Sequence, residues 1–427
     1  MTKPACTLLM TSLLAAGVLL LLLYRVWLVL NRVLPPDLAE AEKIRWLDEL
    51  GRVARSWGVL LHDLGVEPGV QPLKIFINTA FSLLFNPLPW QRVVYRDIKV
   101  SQDVYQGIPV STYTPVRPAA GVRCQGYPTI VYFHGGGWTW LSVGVYDGPL
   151  KHFANLSRFK IVAVEYRKSP EHPFPAPYND CLSVTQYIVQ HARELNVCKD
   201  FIVLAGDGAG ANLAAAVANE MRSLIRLQVL INPALQMVNF ATPSYRDFSE
   251  GFQLPGITCP DKEIGNWMRY GNISPHLKPA MENNLHVSLQ VYEYLSAFGG
   301  SRRKLTLPLN ITQRSILYNK AENDSSTLYF NGLILDHRFN PMFHPDLRQV
   351  ADAYIITSQY DVLRDEAVMY TQHLQESGVR VKLQHYWHAF HGFFLFAGGG
   401  WIEFKESQKA MDHLVQFLNS ELSASKT

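Results

Sequence analysis

The stretch Phe201-Ile-Val-Leu-Ala-Gly-Asp-Gly-Ala-Gly210 sets an apolar run against a cluster of small residues, and a helical pattern from Ala209 to Arg222 follows at once. A short apolar run bounded by glycines reads as a strand buried on both faces, because no alternation reserves one face for water. Glycines at 206, 208 and 210 let the chain reverse tightly into the helix. Upstream, Pro128-Thr-Ile-Val-Tyr-Phe133 is apolar in the same way and also runs into glycines, His134-Gly-Gly-Gly-Trp138. Working outward, strands are expected near 92–100, 107–114, 128–133, 160–166, 201–205, 226–231, 352–358 and 380–387. Between them lie helical periods, such as Leu182, Thr185, Ile188, Val189, Ala192 and Leu195 on one face, and the segment Asp365 to Ser377. Buried strands alternating with helices predict an α/β fold with a mostly parallel central sheet flanked by helices.

Two segments fall outside that rhythm. Residues 233–350 are rich in Asn, Pro and Ser, too long for a structureless loop, and are read as an inserted helical cap. Residues 35–90 are helix-like, contain the apolar run Phe81 to Trp90, and are read as a lead-in forming the other half of that cap. The core is then split into 91–232 and 351–427.

Of the 427 residues 48% are hydrophobic and 18% charged, below the roughly 25% charged typical of soluble domains, which excludes disorder and points to a membrane. The charge of +3 from 39 basic and 36 acidic residues is too small and dispersed for a nucleic-acid partner. Cysteines at 6, 124, 181, 198 and 259 form no CxxC pair and no zinc-type cluster, so neither metal nor cofactor is expected, and disulfide pairing stays open.

No charged residue lies between Pro4 and Tyr24, about the 20 residues a helix needs to cross a bilayer. Tyr24-Arg-Val-Trp27 follows in place of a small-residue cleavage site, so residues 1–34 are read as a membrane anchor and not a cleaved signal, with Pro35-Pro36 ending the helix. Lys3 on one side and Arg25 and Arg32 on the other leave charge silent on orientation. Glycan acceptor triplets start at Asn155, Asn272, Asn310 and Asn323, three of them in the insertion, which favours a single-pass anchor with the main domain in the secretory lumen.

Three features carry chemistry. The loop His134–Trp138 can turn backbone N–H groups into a cleft, as an oxyanion hole requires; a plain tight loop would explain the glycines but not the flanking His and Trp. The turn at 206–210 has the form of a nucleophile elbow, whose central residue should be Ser. Here it is Gly208, and no Ser, Thr or Cys lies between Asp200 and Met221. A phosphate-binding loop does not fit, since neither Lys-Ser/Thr nor a GxGxxG spacing follows. Finally, Asp361 follows the strand Ala353–Ser358, and His391 follows the next strand. Alone, Asp361 reads equally as a helix cap and His391 as a packed core histidine. Together, in the order nucleophile position, acid, histidine, they match an α/β-hydrolase triad.

At this point the chain resembles the hormone-sensitive-lipase group of α/β-hydrolases, through His134-Gly-Gly-Gly-Trp138, Tyr166-Arg-Lys-Ser-Pro-Glu-His-Pro-Phe-Pro-Ala176, Gly206-Asp-Gly-Ala-Gly210 where the family has GDSAG, and Tyr360-Asp-Val-Leu-Arg-Asp-Glu366. With its membrane helix and cap it is most similar to arylacetamide deacetylase-like esterases and neutral cholesterol ester hydrolases, over residues 90–420. The resemblance implies an oxyanion hole from Gly135, Gly136 and the Ala209 amide, Asp361 and His391 as acid and base, and anchoring in the endoplasmic reticulum facing the lumen. It also implies ester or amide substrates with apolar acyl or aryl groups. With Gly208 at the nucleophile position, serine-esterase activity is expected to be lost or strongly reduced while the pocket for an apolar ester-, amide- or lipid-like molecule is kept. The alternative is a slow hydrolase in which His391 activates water. The sequence names no protein partner.

Overall fold

A computed structural model describes residues 16–424 except 18, 21–22, 64–69, 87–94, 96, 120–124, 251–256, 289–290, 292–324, 399 and 401. Its centre is an eight-stranded sheet: β1 (Ile98–Tyr105), β2 (Ile108–Pro115), β3 (Tyr127–Phe133), β4 (Lys160–Val164), β5 (Val197–Asp207), β6 (Leu227–Ile231), β7 (Asp352–Tyr360) and β8 (Val381–Phe390). The spatial order is β1-β2-β4-β3-β5-β6-β7-β8. β1 and β2 pair antiparallel, as do β2 and β4; every later pair is parallel. β4 and β6 are buried along their whole length and β3 from its second residue on, as strands covered on both faces must be.

The first strand is the one that sequence misplaces. Expected at 92–100, it runs to Tyr105, because Gln106 and Gly107 both take positive φ, 52° and 78°, and close a two-residue hairpin with β2. As the edge strand it exposes Lys99, Val100, Gln102, Asp103 and Val104, so no buried-strand signature marks it.

Helices cover both faces. α1 (Ala41–Asp63) and α2 (Val70–Phe85) precede the sheet; α3 (Asp147–Ser157), α4 (Ala176–Gln190) and α5 (Ala209–Met221) lie between its strands. Between β6 and β7 come α6 (Pro243–Glu250), α7 (Pro260–Tyr270), α8 (Lys278–Glu282) and α9 (Ser325–Leu335); α10 (Arg364–Glu376) and α11 (Lys405–Ala424) complete the chain. α5 is buried from Ala209 through Asn219, its alanines allowing the close approach that a central helix needs. Tyr370 on α10 donates to Asn219 on α5 at 3.3 Å, which puts those two helices on one face.

Residues 1–15 of the expected anchor lie outside the described residues, as do Asn310 and Asn323. Residues 23–30 are helical, and among the described residues no helix is long and apolar enough to cross a membrane. Arg32 pairs with Asp48 at 2.5 Å and Glu49 at 2.7 Å, and Arg25 with Glu49 at 3.0 Å, so this stem is held to α1 by ions. Asn155 lies half-buried on α3, with the Ser157 hydroxyl of its triplet buried and donating to Phe153 O at 2.7 Å, whereas Asn272 is exposed in the turn after α7. Cys198 is disulfide-bonded and Cys181 is a buried thiol.

Candidate active site

Five neighbouring parallel strands, β3, β5, β6, β7 and β8, all end on the same edge of the sheet, and each releases a polar or glycine residue there: His134, Gly208, Asn232, Asp361 and His391. The carboxyl edge of such a sheet is where α/β folds bind ligands. Strand register therefore brings together residues far apart in the chain.

Gly208 has φ 52° and ψ −115°, a conformation that side chains other than hydrogen rarely adopt. A Cβ built on it would meet only His391, at 3.9 Å from Cε1 and 4.0 Å from Nε2, ordinary contact distances. The turn is held open by its flanking glycines: a Cβ on Gly206 would lie 2.4 Å from Gly210 C, and one on Gly210 would lie 2.0 Å from Phe133 O. The chain thus keeps elbow geometry at a position with no hydroxyl.

His391 and Asp361 meet as expected. His391 Nδ1 lies 3.0 Å from Asp361 Oδ1, leaving Nε2 toward Gly208. Asp361 is fully buried and also accepts from the Leu363 N–H at 3.0 Å and from Asn232 Nδ2 at 2.6 Å, so both carboxylate oxygens are engaged. The His391 side chain keeps 21% exposure. Burial opposes its charging, but the Asp361 charge and hydrogen bond, helped by Glu263 and opposed by Lys262, raise its pKa above the ordinary imidazole value.

The glycine loop needs a correction. Gly135 was expected in an oxyanion hole, but its N–H already donates to Tyr146 Oη at 2.9 Å and to Asp207 Oδ1 at 3.1 Å. A Cβ there would lie 2.3 Å from Asp207 Oδ2, so only glycine allows this contact. Asp207 also accepts from Tyr132 Oη and Tyr146 Oη, both at 2.8 Å. Burial raises the Asp207 pKa, with the tyrosine hydroxyls, the Gly135 amide and His391 opposing. Asp207 thus ties the loop to the elbow. Among the described hydrogen bonds none takes the N–H of Gly136, Gly137 or Ala209, so Gly136 and Ala209 remain candidates and Gly137 joins them. Burial, then Lys168, lower the His134 pKa to about 4 against Glu165 and Gly135, so its ring stays neutral. Its ring stacks on Tyr166 at 4.4 Å and its Nδ1 lies 2.8 Å from Gly135 O, a strut under the loop.

Sequence reasoning missed a polar group on α7. A Cβ on Gly137 would lie 2.4 Å from Asn266 Cγ, so the Asn266 amide lies directly against the loop. Asn266 donates to Glu263 Oε2 at 3.2 Å and accepts from Arg269 Nη2 at 2.6 Å; the Arg269 guanidinium lies 5.3 Å from the Trp140 ring. Burial lowers the Arg269 pKa to about 10, with Glu263 and Asp261 opposing. Glu263 is itself buried. Glu366, in the stretch Tyr360–Glu366, is buried and accepts the N–H groups of Leu235 and Gln236 at 2.6 and 3.0 Å, holding the loop after β6. Among the described residues no cluster of side chains is suited to a metal ion.

The alpha/beta hydrolase fold family matches residues 130–268 and 276–395. Neutral cholesterol ester hydrolase 1 of Bos taurus is 29% identical over 85% of this chain and 88% of its own. Arylacetamide deacetylase of Oryctolagus cuniculus is 30% identical over 86% of this chain and 90% of its own. An ester hydrolase from the metagenome of Lake Arreo superposes with a TM-score of 0.61 over 92% of this chain and 100% of its own; at 21% identity that likeness shows the fold alone. With its sheet order, its elbow and its Asp361–His391 pair, the chain belongs to the alpha/beta hydrolase family.

Proposed function

We propose that this protein is a membrane-anchored carboxylesterase- or lipase-type fold that has lost its nucleophile, keeps a pocket for an apolar ester-, amide- or lipid-like molecule, and forms no acyl-enzyme. One observation carries the reading: Gly208 has elbow geometry, His391 stands 3.9 Å from where its Cβ would start, and there is no hydroxyl between them. Removing the nucleophile of a serine hydrolase costs on the order of 10⁶ in turnover. Gly136, Gly137 and Ala209 are the amides available to a carbonyl oxygen, and Asp361 fixes the His391 ring. Residues 233–350, with 35–90, act as a cap over this centre, a role supported by the contact of α7 with Gly137. The substrate class follows from relatives whose names point to cholesterol esters and arylacetamides.

Residues 1–34 anchor the protein in the endoplasmic reticulum with its main domain in the lumen. The uncharged span from Pro4 to Tyr24 supports the anchor, and the disulfide at Cys198 supports an oxidising compartment. Asn272, exposed in its turn, is the first glycan site to examine.

The test uses the full chain in detergent or vesicles. It should escape labelling by a fluorophosphonate probe, turn over short aryl esters at background, and still bind a fluorescent cholesteryl ester. Stoichiometric probe labelling overturns the reading. The open space at Gly208 favours a second reading, slow hydrolysis by water that His391 deprotonates. Activity abolished by His391→Ala in the otherwise native chain would select it.

A further inference from the structure

α2 is built inside out. Its only charged residue from Val70 to Phe85, Lys74, is buried, with Nζ 2.6 Å from Glu171 Oε2 and 3.0 Å from Ser169 O. Its outward face instead carries Ile75, Phe76 and Leu83, at 66%, 44% and 62% exposure, with Thr79 between them. These positions recur at three- and four-residue steps, so they form one stripe along the helix. A water-facing helix has the opposite arrangement.

The stripe does not stand alone. The stem, pinned to α1 through Arg25 and Arg32, exposes Tyr24, Trp27, Leu30 and Val33, and α1 packs against α2. α1 exposes Trp46 within one turn of the Asp48 and Glu49 that hold the stem. Trp387 is exposed on β8 next to His388, whose carbonyl accepts from Ala39 at 3.0 Å just after the stem. Gly400 and Glu403 touch the end of α2 and the start of α1: a Cβ on Gly400 would touch Leu84 O, while Lys43 donates to Glu403 O at 2.6 Å. Exposed tryptophans together with an aliphatic stripe suit the boundary between headgroups and acyl chains.

We propose that this face, α2 with Trp46 and Trp387, rests in the bilayer interface and inserts Ile75, Phe76 and Leu83 among the acyl chains. The occupant is the lipid surface, because the apolar stem leading to the anchor proposed above, on which this inference rests, is pinned to α1, and α1 packs against α2. The inner side of α2 holds Ser169 through Lys74, and Ser169 N donates to Trp138 O at 2.9 Å, at the end of the glycine loop. α2 therefore stands between the membrane and the site, and an apolar ligand reaches the pocket along it without crossing water.

The experiment places the photoreactive residue p-benzoylphenylalanine at Ile75, Phe76 or Leu83 of the full chain in phosphatidylcholine vesicles. Leu23 in the stem and Val104, exposed on β1, serve as references. Lipid adducts found by mass spectrometry are expected at all three α2 positions and at Leu23, and lost at Val104. Circular dichroism of each variant, matched to the parent, shows that it is folded. Adducts at Leu23 alone overturn this proposal and leave the anchor standing; adducts on α2 without Leu23 keep it and remove the anchor. Adducts nowhere overturn both, and crosslinks joining two copies of the chain overturn it in favour of a protein interface.

Discussion

Replacing Gly208 by Ser is the perturbation that asks most of the site. A Cβ at this position has only ordinary contacts, 3.9 and 4.0 Å to the His391 ring, so no steric cost arises. One bond further out, a hydroxyl turned toward Nε2 falls within hydrogen-bond reach, about 2.6–3.2 Å. The cost lies in the backbone: φ 52° with ψ −115° is strained for serine, about 1–3 kcal/mol. Loss of glycine freedom in the unfolded chain returns about 0.4–1 kcal/mol. At about 2.1 cal/mol/K of unfolding entropy per residue, a chain this long shifts by about one degree per kcal/mol, so Tm should fall by no more than about 3 °C. The kinetic gain is far larger, up to about 10⁶ in turnover if every other part is in place. The assay is therefore fluorophosphonate labelling and hydrolysis of p-nitrophenyl butyrate, with G208S combined with H391A as the control that must be silent. A folded G208S that neither labels nor hydrolyses any of a panel of apolar esters would refute the argument that Gly208 alone separates this protein from catalysis.

Three further outcomes follow from the same contacts. Because the folded His391 pKa is raised, its contribution to stability is fully present below the ordinary imidazole value of about 6.5 and is lost as pH rises through the folded value. Histidine NMR should show a midpoint above that of a free imidazole, lowered by Asp361→Asn and, by less, by Glu263→Gln; no response to the second change would remove Glu263 from the site. Tyr146→Phe takes a hydroxyl from the buried Asp207 carboxylate and from the Gly135 N–H, and should cost about 1.5–3 kcal/mol in urea denaturation; an unchanged midpoint would mean that the loop is held elsewhere. Cys198→Ser should cost about 2–4 kcal/mol, and alkylation without reductant should leave Cys198 unmodified in the native chain.

The sheet was legible because β3, β4, β6, the Phe201–Ala205 part of β5 and the Ala353–Ile356 part of β7 are apolar on both faces, a pattern that local sequence displays directly. The pairing of Asp361 with His391 was legible too, since each follows a strand and neighbouring parallel strands end on one edge. What sequence could not display was the identity of acceptors. Three glycines in a row announce available N–H groups, but the carboxylate that takes the Gly135 N–H comes from 72 residues away, and the tyrosines that share it from 75 and 61 residues away from Asp207. A signal existed, as Asp207 sits at a strand end beside the elbow, yet its partners depend on how β3 and β5 align. Glu263 and Asn266 were hidden for a different reason: they lie in an insertion without strand-and-helix rhythm, and only the tertiary contact with Gly137 gives them meaning.

These contacts also separate what the fold needs from what chemistry needs. Asp207 holds the glycine loop, Glu366 holds the loop after β6, and Asp361 satisfies both the Leu363 N–H and Asn232. Each has a structural reason to be there with no reaction to perform, since removing a buried acceptor leaves its donors unpaired at about 1–3 kcal/mol. The presence of Asp361 is thus weak support for residual catalysis. His391 differs. Its backbone N–H serves Tyr360 O and its Nδ1 faces Asp361, but Nε2 looks toward the space over Gly208, where no hydrogen-bond partner stands among the described residues. Of the triad positions only that nitrogen has work left that packing does not explain. If the site acts on a bound molecule at all, whether by holding a carbonyl compound or by moving a proton to water, it does so through His391 Nε2.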